Sequence, residues 1–185
     1  NKERKRGYLE NDELGGLDPY GASKGAAEIA IRSYFHSFLK DLKNIKLVSA
    51  RAGNVIGGGD WNENRIVPDC MKSWLKNSII SIRNPNATRP WQHVLDPITG
   101  YLMLGALQMK ALKEENNNLF LNTSDAFNFG PTLNSNISVE NLVKEILKYW
   151  PGNYHIEKET NPLHESSKLN LAWDKAYHFL KWHPK

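Results

Sequence analysis

Ala27, Ala30, Ile31, Tyr34, Phe35, Phe38 and Leu39 recur at three- and four-residue steps, the period of a helix with one apolar face. The pattern predicts a helix from Asp18 to about Lys40 whose stripe must pack on something. Asp18 suits its N-cap, and Pro19 its first position, where a missing N–H costs nothing. Asn44 to Ala50 follows and reads as a short strand. A helix feeding a buried strand is a unit of a parallel sheet, so the chain reads as α/β. The strand runs into a glycine-rich loop, Arg51 to Trp61. Open α/β sheets bind ligands outside the carboxyl ends of their strands, and this loop occupies such an end.

Downstream, Arg65 to Asn77 predicts a helix with Val67, Met71, Trp74 and Leu75 inward. Ile79 to Arg83 predicts a strand, Asn84 to Trp91 a rigid proline-bearing loop, and Gln92 to Leu95 a further extended piece. Asp96-Pro97 repeats the cap-and-proline start, and its helix should reach about Leu112 on Tyr101, Leu104, Leu107 and Met109. Lys113 to Asp125 reads as a loop and Ala126 to Gly130 as a strand. Ser138 should cap a helix running to Trp150. Tyr154 to Glu157 predicts a strand, and Asp174 to Trp182 a last short helix. Residues 1–17 are polar and glycine-containing, a loop.

Composition narrows the class. The chain has 185 residues, enough for one domain or a large piece of two. Hydrophobic residues make up 40% and charged residues 24%, which is a globular balance and excludes a disordered chain. A net charge of +4 fits a small anionic ligand and is too weak to argue for nucleic acid. The basic run Lys2-Glu3-Arg4-Lys5-Arg6 reads as a solvated loop. Cys70 is the only cysteine, so no intrachain disulfide can form, which fits a reducing compartment. No apolar run approaches the ~20 residues of a membrane span, and the polar start shows no signal-peptide pattern. The expectation is a cytoplasmic protein. A start at Asn1 and a stop at Lys185 directly after a helix-like segment read as a fragment of a longer protein.

The candidate chemistry begins with Tyr20 and Lys24, which share a helix face at i and i+4. A cation beside a phenol favours the phenolate, so such a pair suits proton transfer. The spacing also suits an ordinary surface pair. The glycine-rich loop lacks the Gly-x-Gly-x-x-Gly spacing of a dinucleotide loop. Asp60 and Arg65 could form a pair that orders it. Trp61 and Trp91 could wall a ligand or simply pack. Cys70, on a helix, reads as packing. His164-Glu165 is not a zinc signature, because no histidine follows at the required spacing, and no metal is expected.

Taken together, Tyr20-x-x-x-Lys24 and Arg51-Ala52-Gly53-Asn54-Val55-Ile56-Gly57-Gly58-Gly59-Asp60-Trp61 resemble the extended short-chain dehydrogenase/reductases. More narrowly, the long run from Ile82-Arg83-Asn84-Pro85 through Arg89-Pro90-Trp91-Gln92-His93-Val94-Leu95 is similar to the CDP-glucose 4,6-dehydratases. Asn11-Asp12, Leu14-Gly15-Gly16, Asn128-Phe129-Gly130-Pro131 and Pro162-x-His164-Glu165 support the likeness, which extends over essentially the whole chain. It implies the C-terminal part of a Rossmann-like fold plus a small α/β substrate-binding region, with the N-terminal part of the parallel sheet missing. Residues 1–60 would be what remains of the dinucleotide-binding domain. Residues 61–185 would mostly bind substrate, with some segments returning to that domain.

The resemblance also implies NAD as cofactor, a nucleotide sugar such as CDP-glucose as substrate, and a homodimer in the full-length protein, with Ala30, Tyr34 and Phe38 on its outer helix face. The implied reaction is a dehydration through a keto intermediate. Tyr20 would be the base for the carbon 4 hydroxyl, and Lys24 would bind the nicotinamide ribose. Arg89 would pair with the diphosphate. Asn54 would contact diphosphate or sugar, with a turn-holding asparagine as the competing reading. Arg83 would contact the nucleotide, and His93 would shape the pocket. Two family features are absent from the sequence: the glycine-rich NAD loop, and the Thr/Ser-Asp-Lys/Glu strand end that supplies the other acid/base groups. The expectation is therefore that this chain alone is inactive. An epimerase or reductase of the same superfamily, or a non-catalytic nucleotide-sugar-binding remnant, are the alternatives.

Overall fold

The computed structural model describes residues 6–16, 18–113, 125–157 and 169–185. The expectations for residues 2–5 and for Pro162, His164 and Glu165 lie outside the described residues. The first helix, α1 (Pro19–Tyr34), starts as its sequence dictates. Asp18 stays extended, and its Oδ1 accepts the Gly21 N–H at 2.7 Å. One wider turn, Phe35–Leu39, continues the helix. The first strand, β1, runs over Ser49–Ala52, later than the predicted Asn44 to Ala50. Its partner sets the limits. It pairs in parallel with β6 (Ala126–Phe129), from Ser49 opposite Ala126 to Ala52 opposite Phe129. Backbone donors and acceptors must find such partners, and local composition cannot say where they begin.

Three more ladders complete the described strands. β2 (Val55–Ile56) lies parallel to β5 (Gln92–His93), within what the sequence reads as a loop and a short extended piece. β3 (Ile80–Ile82) lies parallel to β8 (Tyr154–Ile156). β4 (Thr88–Pro90) pairs antiparallel with β7 (Asn136–Ser138). This last pair corrects the reading of 84–91 as loop alone. The helices between are α2 (Ile66–Leu75), α3 (Leu95–Lys113), α4 (Val139–Leu147) and α5 (Asp174–Leu180). Ser138 caps α4 by accepting the Asn141 N–H at 3.2 Å. The architecture is mixed α/β with mainly parallel strands.

Two hydrophobic clusters hold these elements. The first joins Leu104 of α3, Phe127 and Phe129 of β6, and Ala176, Leu180 and Trp182 around α5. Rings meet edge to face here, with Phe129 centred 5.1 Å from Trp182 and 5.3 Å from Tyr101. The second joins Cys70 and Trp74 of α2, Ile82 of β3 and Val143 of α4. Cys70 is therefore packing.

Some positions predicted to pack are open. Of the α1 stripe only Phe35 is buried, while Ile31, Tyr34 and Phe38 are exposed. No described element covers that face, so its apolar residues stand in the open. Leu75 and Met109 are exposed as well, each at the solvent edge of its helix. Among the described residues no helix is long and apolar enough to cross a membrane.

Candidate active site

Pro19 and the Asp18 cap place Tyr20 in the first turn of α1 and Lys24 one turn later. Tyr20 is 73% exposed. The Lys24 ammonium lies 5.4 Å from the centre of the Tyr20 ring. Among the described residues Lys24 makes no ion pair. The turn behind the pair is seated by backbone contact. Gly25 is buried, and a Cβ there would lie 2.8 Å from two backbone atoms of Gly15. The chain before α1 thus lies directly on the helix.

A second anchor joins α1 to β1. Arg51 donates from Nε to Glu28 Oε1 at 2.7 Å and from Nη2 to Glu28 Oε2 at 3.0 Å. Its Nη1 donates to the Glu10 carbonyl at 3.1 Å. The Glu10 carboxylate in turn accepts the Asn128 N–H at 2.9 Å. One guanidinium therefore links the loop before the helix, the helix and the strand. Hydrogen bonds from Arg51 hold the Glu28 carboxyl below its ordinary range, against burial that pushes it upward. Sequence reading missed this pair. The partners are 23 residues apart and share no local periodicity.

The strand leads from Arg51 to Asn54, where the next anchor sits. The Asn54 carbonyl accepts the Gln92 N–H at 3.0 Å, and Gly53 packs against Pro90, which would stand 3.2 Å from a Cβ there. Gln92, also missed, is buried and donates from Nε2 to the Phe129 carbonyl at 3.0 Å. It ties β5 to the end of β6. The pairing of β2 and β5 thus gathers Asn54, Pro90, Gln92 and His93 into one neighbourhood. His93 is exposed, and its Nδ1 accepts the Leu95 N–H at 3.3 Å, where α3 begins. Arg89 is half-buried in β4 and donates from Nη1 to its neighbour Thr88's carbonyl at 2.9 Å. Arg83 is exposed, one residue beyond β3.

The aromatic and charged residues of the loops divide. Trp61 is exposed, whereas Trp91 is half-buried with an Nε1 that has no partner. Arg65 does pair with Asp60, at 3.0 Å. Asp60 also accepts from the Asn62 backbone, and these bonds lower its pKa. Among the described residues no group of three or more His, Cys, Asp or Glu is placed to hold a metal.

The frame is mixed α/β with mainly parallel strands, with Tyr20 and Lys24 on an exposed helix start beside a glycine-rich strand end. Residues 1–119 match the model of the NAD dependent epimerase/dehydratase family, and the chain belongs to that family. Across its whole length it is 38% identical to a CDP-glucose 4,6-dehydratase of Salmonella typhimurium, and it spans 51% of that protein. Solved structures share the fold. A dTDP-glucose 4,6-dehydratase from Streptomyces venezuelae, solved with NAD bound, superposes with a TM-score of 0.73 at 16% identity, over 98% of this chain and 51% of that one. A UDP-glucuronic acid 4-epimerase from Bacillus cereus, in complex with UDP-glucuronic acid and NAD, does so with a TM-score of 0.73 at 20% identity, over 98% of this chain and 52% of that one. The chain thus spans about half the length of the relatives it matches.

Proposed function

We propose that this chain is the C-terminal part of an NAD-dependent nucleotide-sugar 4,6-dehydratase acting on CDP-glucose. The observation that carries the reading is the 38% identity to a CDP-glucose 4,6-dehydratase across the entire chain. In this reading residues 1–60 belong to the dinucleotide-binding domain. Residues 61–185 mostly form the substrate region, and α3, β6 and α5 return to the first domain. The two separate hydrophobic clusters support that division. The complete protein would be a homodimer through the open face of α1, where the tilted rings of Tyr34 and Phe38 lie 4.8 Å apart.

The residues present fit one end of the cofactor. Tyr20 is open, and Lys24 has no acidic partner among the described residues, so its donors can reach the hydroxyls of a nicotinamide ribose. When bound, NAD supplies a hydride acceptor and later returns that hydride. Tyr20 takes the proton of the carbon 4 hydroxyl, and Lys24 holds the ribose. Arg89 offers a guanidinium to the diphosphate, Asn54 an amide to diphosphate or sugar, and Arg83 a charge to the nucleotide. His93, opposite Ile56 in the β2–β5 ladder, shapes the pocket wall. The acid and base that remove the carbon 5 proton and expel water have no candidate among these residues. The chain alone should therefore release no product.

A fusion tests this. The chain is joined behind the N-terminal half of the Salmonella dehydratase and incubated with NAD and CDP-glucose, and products are followed by mass. The expected product is lighter by one water, and Y20F should reduce its formation by about 10²-fold or more, the scale of a lost general base. The isolated chain should give none. Turnover by the isolated chain, or full activity of Y20F in the fusion, overturns the assignment. An isomeric product of unchanged mass would favour the second reading, an epimerase, which the Bacillus cereus fold match keeps in view.

A further inference from the structure

Lys24 and Glu28 stand at i and i+4 on α1, a spacing at which opposite charges ordinarily meet. They do not meet here. Both Glu28 oxygens are taken by Arg51, at 2.7 and 3.0 Å, and Lys24 lies instead over the Tyr20 ring. Arg51 is itself held in place. It projects from β1, the side chains of both partners are only about a fifth exposed, and its remaining Nη1 is fixed on the Glu10 carbonyl. A bidentate guanidinium from a sheet strand is a stronger and better oriented partner than a flexible lysine on the same helix.

We infer that Arg51 is a positioning residue: by occupying the Glu28 carboxylate it denies Lys24 its natural helix partner and leaves the ammonium to Tyr20. The use of that placement rests on the function proposed above, in which Tyr20 and Lys24 work as a pair. The placement itself does not depend on it. Glu28 lies two turns beyond Tyr20 on the same side of α1, so one carboxylate can be bound to the strand or to the lysine, but not fully to both. Any change that frees it should draw Lys24 away from the phenol.

The test uses side-chain NMR of the chain, free of any cofactor. In the unmodified chain the Lys24 Hε protons should show an upfield ring-current shift and NOEs to the Tyr20 ring. In R51M the freed Glu28 should capture Lys24, and the Lys24–Tyr20 NOE should fall about twofold, the population change that an i,i+4 pair can drive. In R51M/E28Q, where no carboxylate competes, the NOE and the ring-current shift should return. A residue that merely braced the fold would not be rescued by removing a second partner. Unchanged Lys24–Tyr20 NOEs in R51M, or no recovery in a folded R51M/E28Q, overturn the inference. Stronger NOEs from Lys24 to Glu28 than to Tyr20 in the unmodified chain overturn it without any variant. Full activity of Y20F in the fusion would sink the proposed function and leave this result standing.

Discussion

Two glycines in α3 should respond to the same substitution with opposite signs. Gly105 is exposed, and a Cβ there would meet nothing within 4 Å. G105A should then gain only the helix propensity difference, about 0.5–1 kcal/mol. Gly100 faces the first core. A Cβ there would lie 2.3 Å from two ring carbons of Phe129 and 3.1 Å from Nε1 of Trp182. The ring cannot retreat, because Phe129 is 0% exposed and has Tyr101 and Trp182 against its sides. Overpacking of a tight core costs roughly 1–3 kcal/mol, and so close a contact belongs at the upper end. Set against a propensity gain of about 1 kcal/mol, G100A should lose about 2 kcal/mol. With a urea slope of about 2 kcal/mol per molar, the midpoint should fall by about 1 M for G100A and rise by about 0.3–0.5 M for G105A. Tryptophan emission is the assay, since Trp182 touches the altered position. A G100A midpoint at or above that of G105A would refute the reasoning, because the packing around Phe129 would then be loose.

Two further outcomes follow from the titrating groups. Glu28 has a folded pKa below its ordinary 4.5, so it contributes stability above that pH, and the contribution is lost as pH falls through the folded pKa. E28Q should flatten the acid side of a stability–pH profile from about pH 4.5 downward; an acid side as steep as that of the parent chain would show that the bond to Arg51 is not formed in solution. Cys70 is fully buried, and burial, with the Asp69 charge second, pushes its thiol up to about 12. At pH 8 a thiol reagent should label the native chain about 10³-fold more slowly than the urea-unfolded chain, and labelling within tenfold of the unfolded rate would mean that the second core opens readily.

What the sequence made legible was mostly local. Asp18 with Pro19, and Ser138 before an amphipathic run, marked two helix starts that the structure reproduces with capping bonds. The stretch Ala126 to Gly130 was recognisable as a short strand, and the four residues of β6 are all buried. Long-range partners were not legible. Thr88-Arg89-Pro90 sits among prolines and looks like loop, and it becomes a strand only because Asn136–Ser138 lies beside it. Arg51 reads from the sequence as the first residue of the glycine-rich loop, and nothing local points to its pairing with Glu28, 23 residues away. Periodicity read a packing stripe on α1, but among the described residues only Phe35 of it is buried, because a local repeat cannot say what lies beside the helix. At the site, family likeness selected Asn54, Arg83, Arg89 and His93. The structure adds that Asn54 and His93 share one ladder neighbourhood, with Arg89 close by in β4 and Arg83 at the end of another strand.

The pairing of β1 with β6 also has a kinetic side. The two strands are separated by everything from residue 52 to residue 126, and β3 and β8 are almost as far apart along the chain. No described ladder is a tight hairpin, so none can form before a long loop has closed. Helices α1 and α3 can appear within microseconds, but the sheet must wait, as it does in other proteins of high contact order. During that wait the edge of β6 and the rings of Phe127 and Phe129 stay open to other chains. Refolding yield should therefore drop as protein concentration rises, even where the native state is sound.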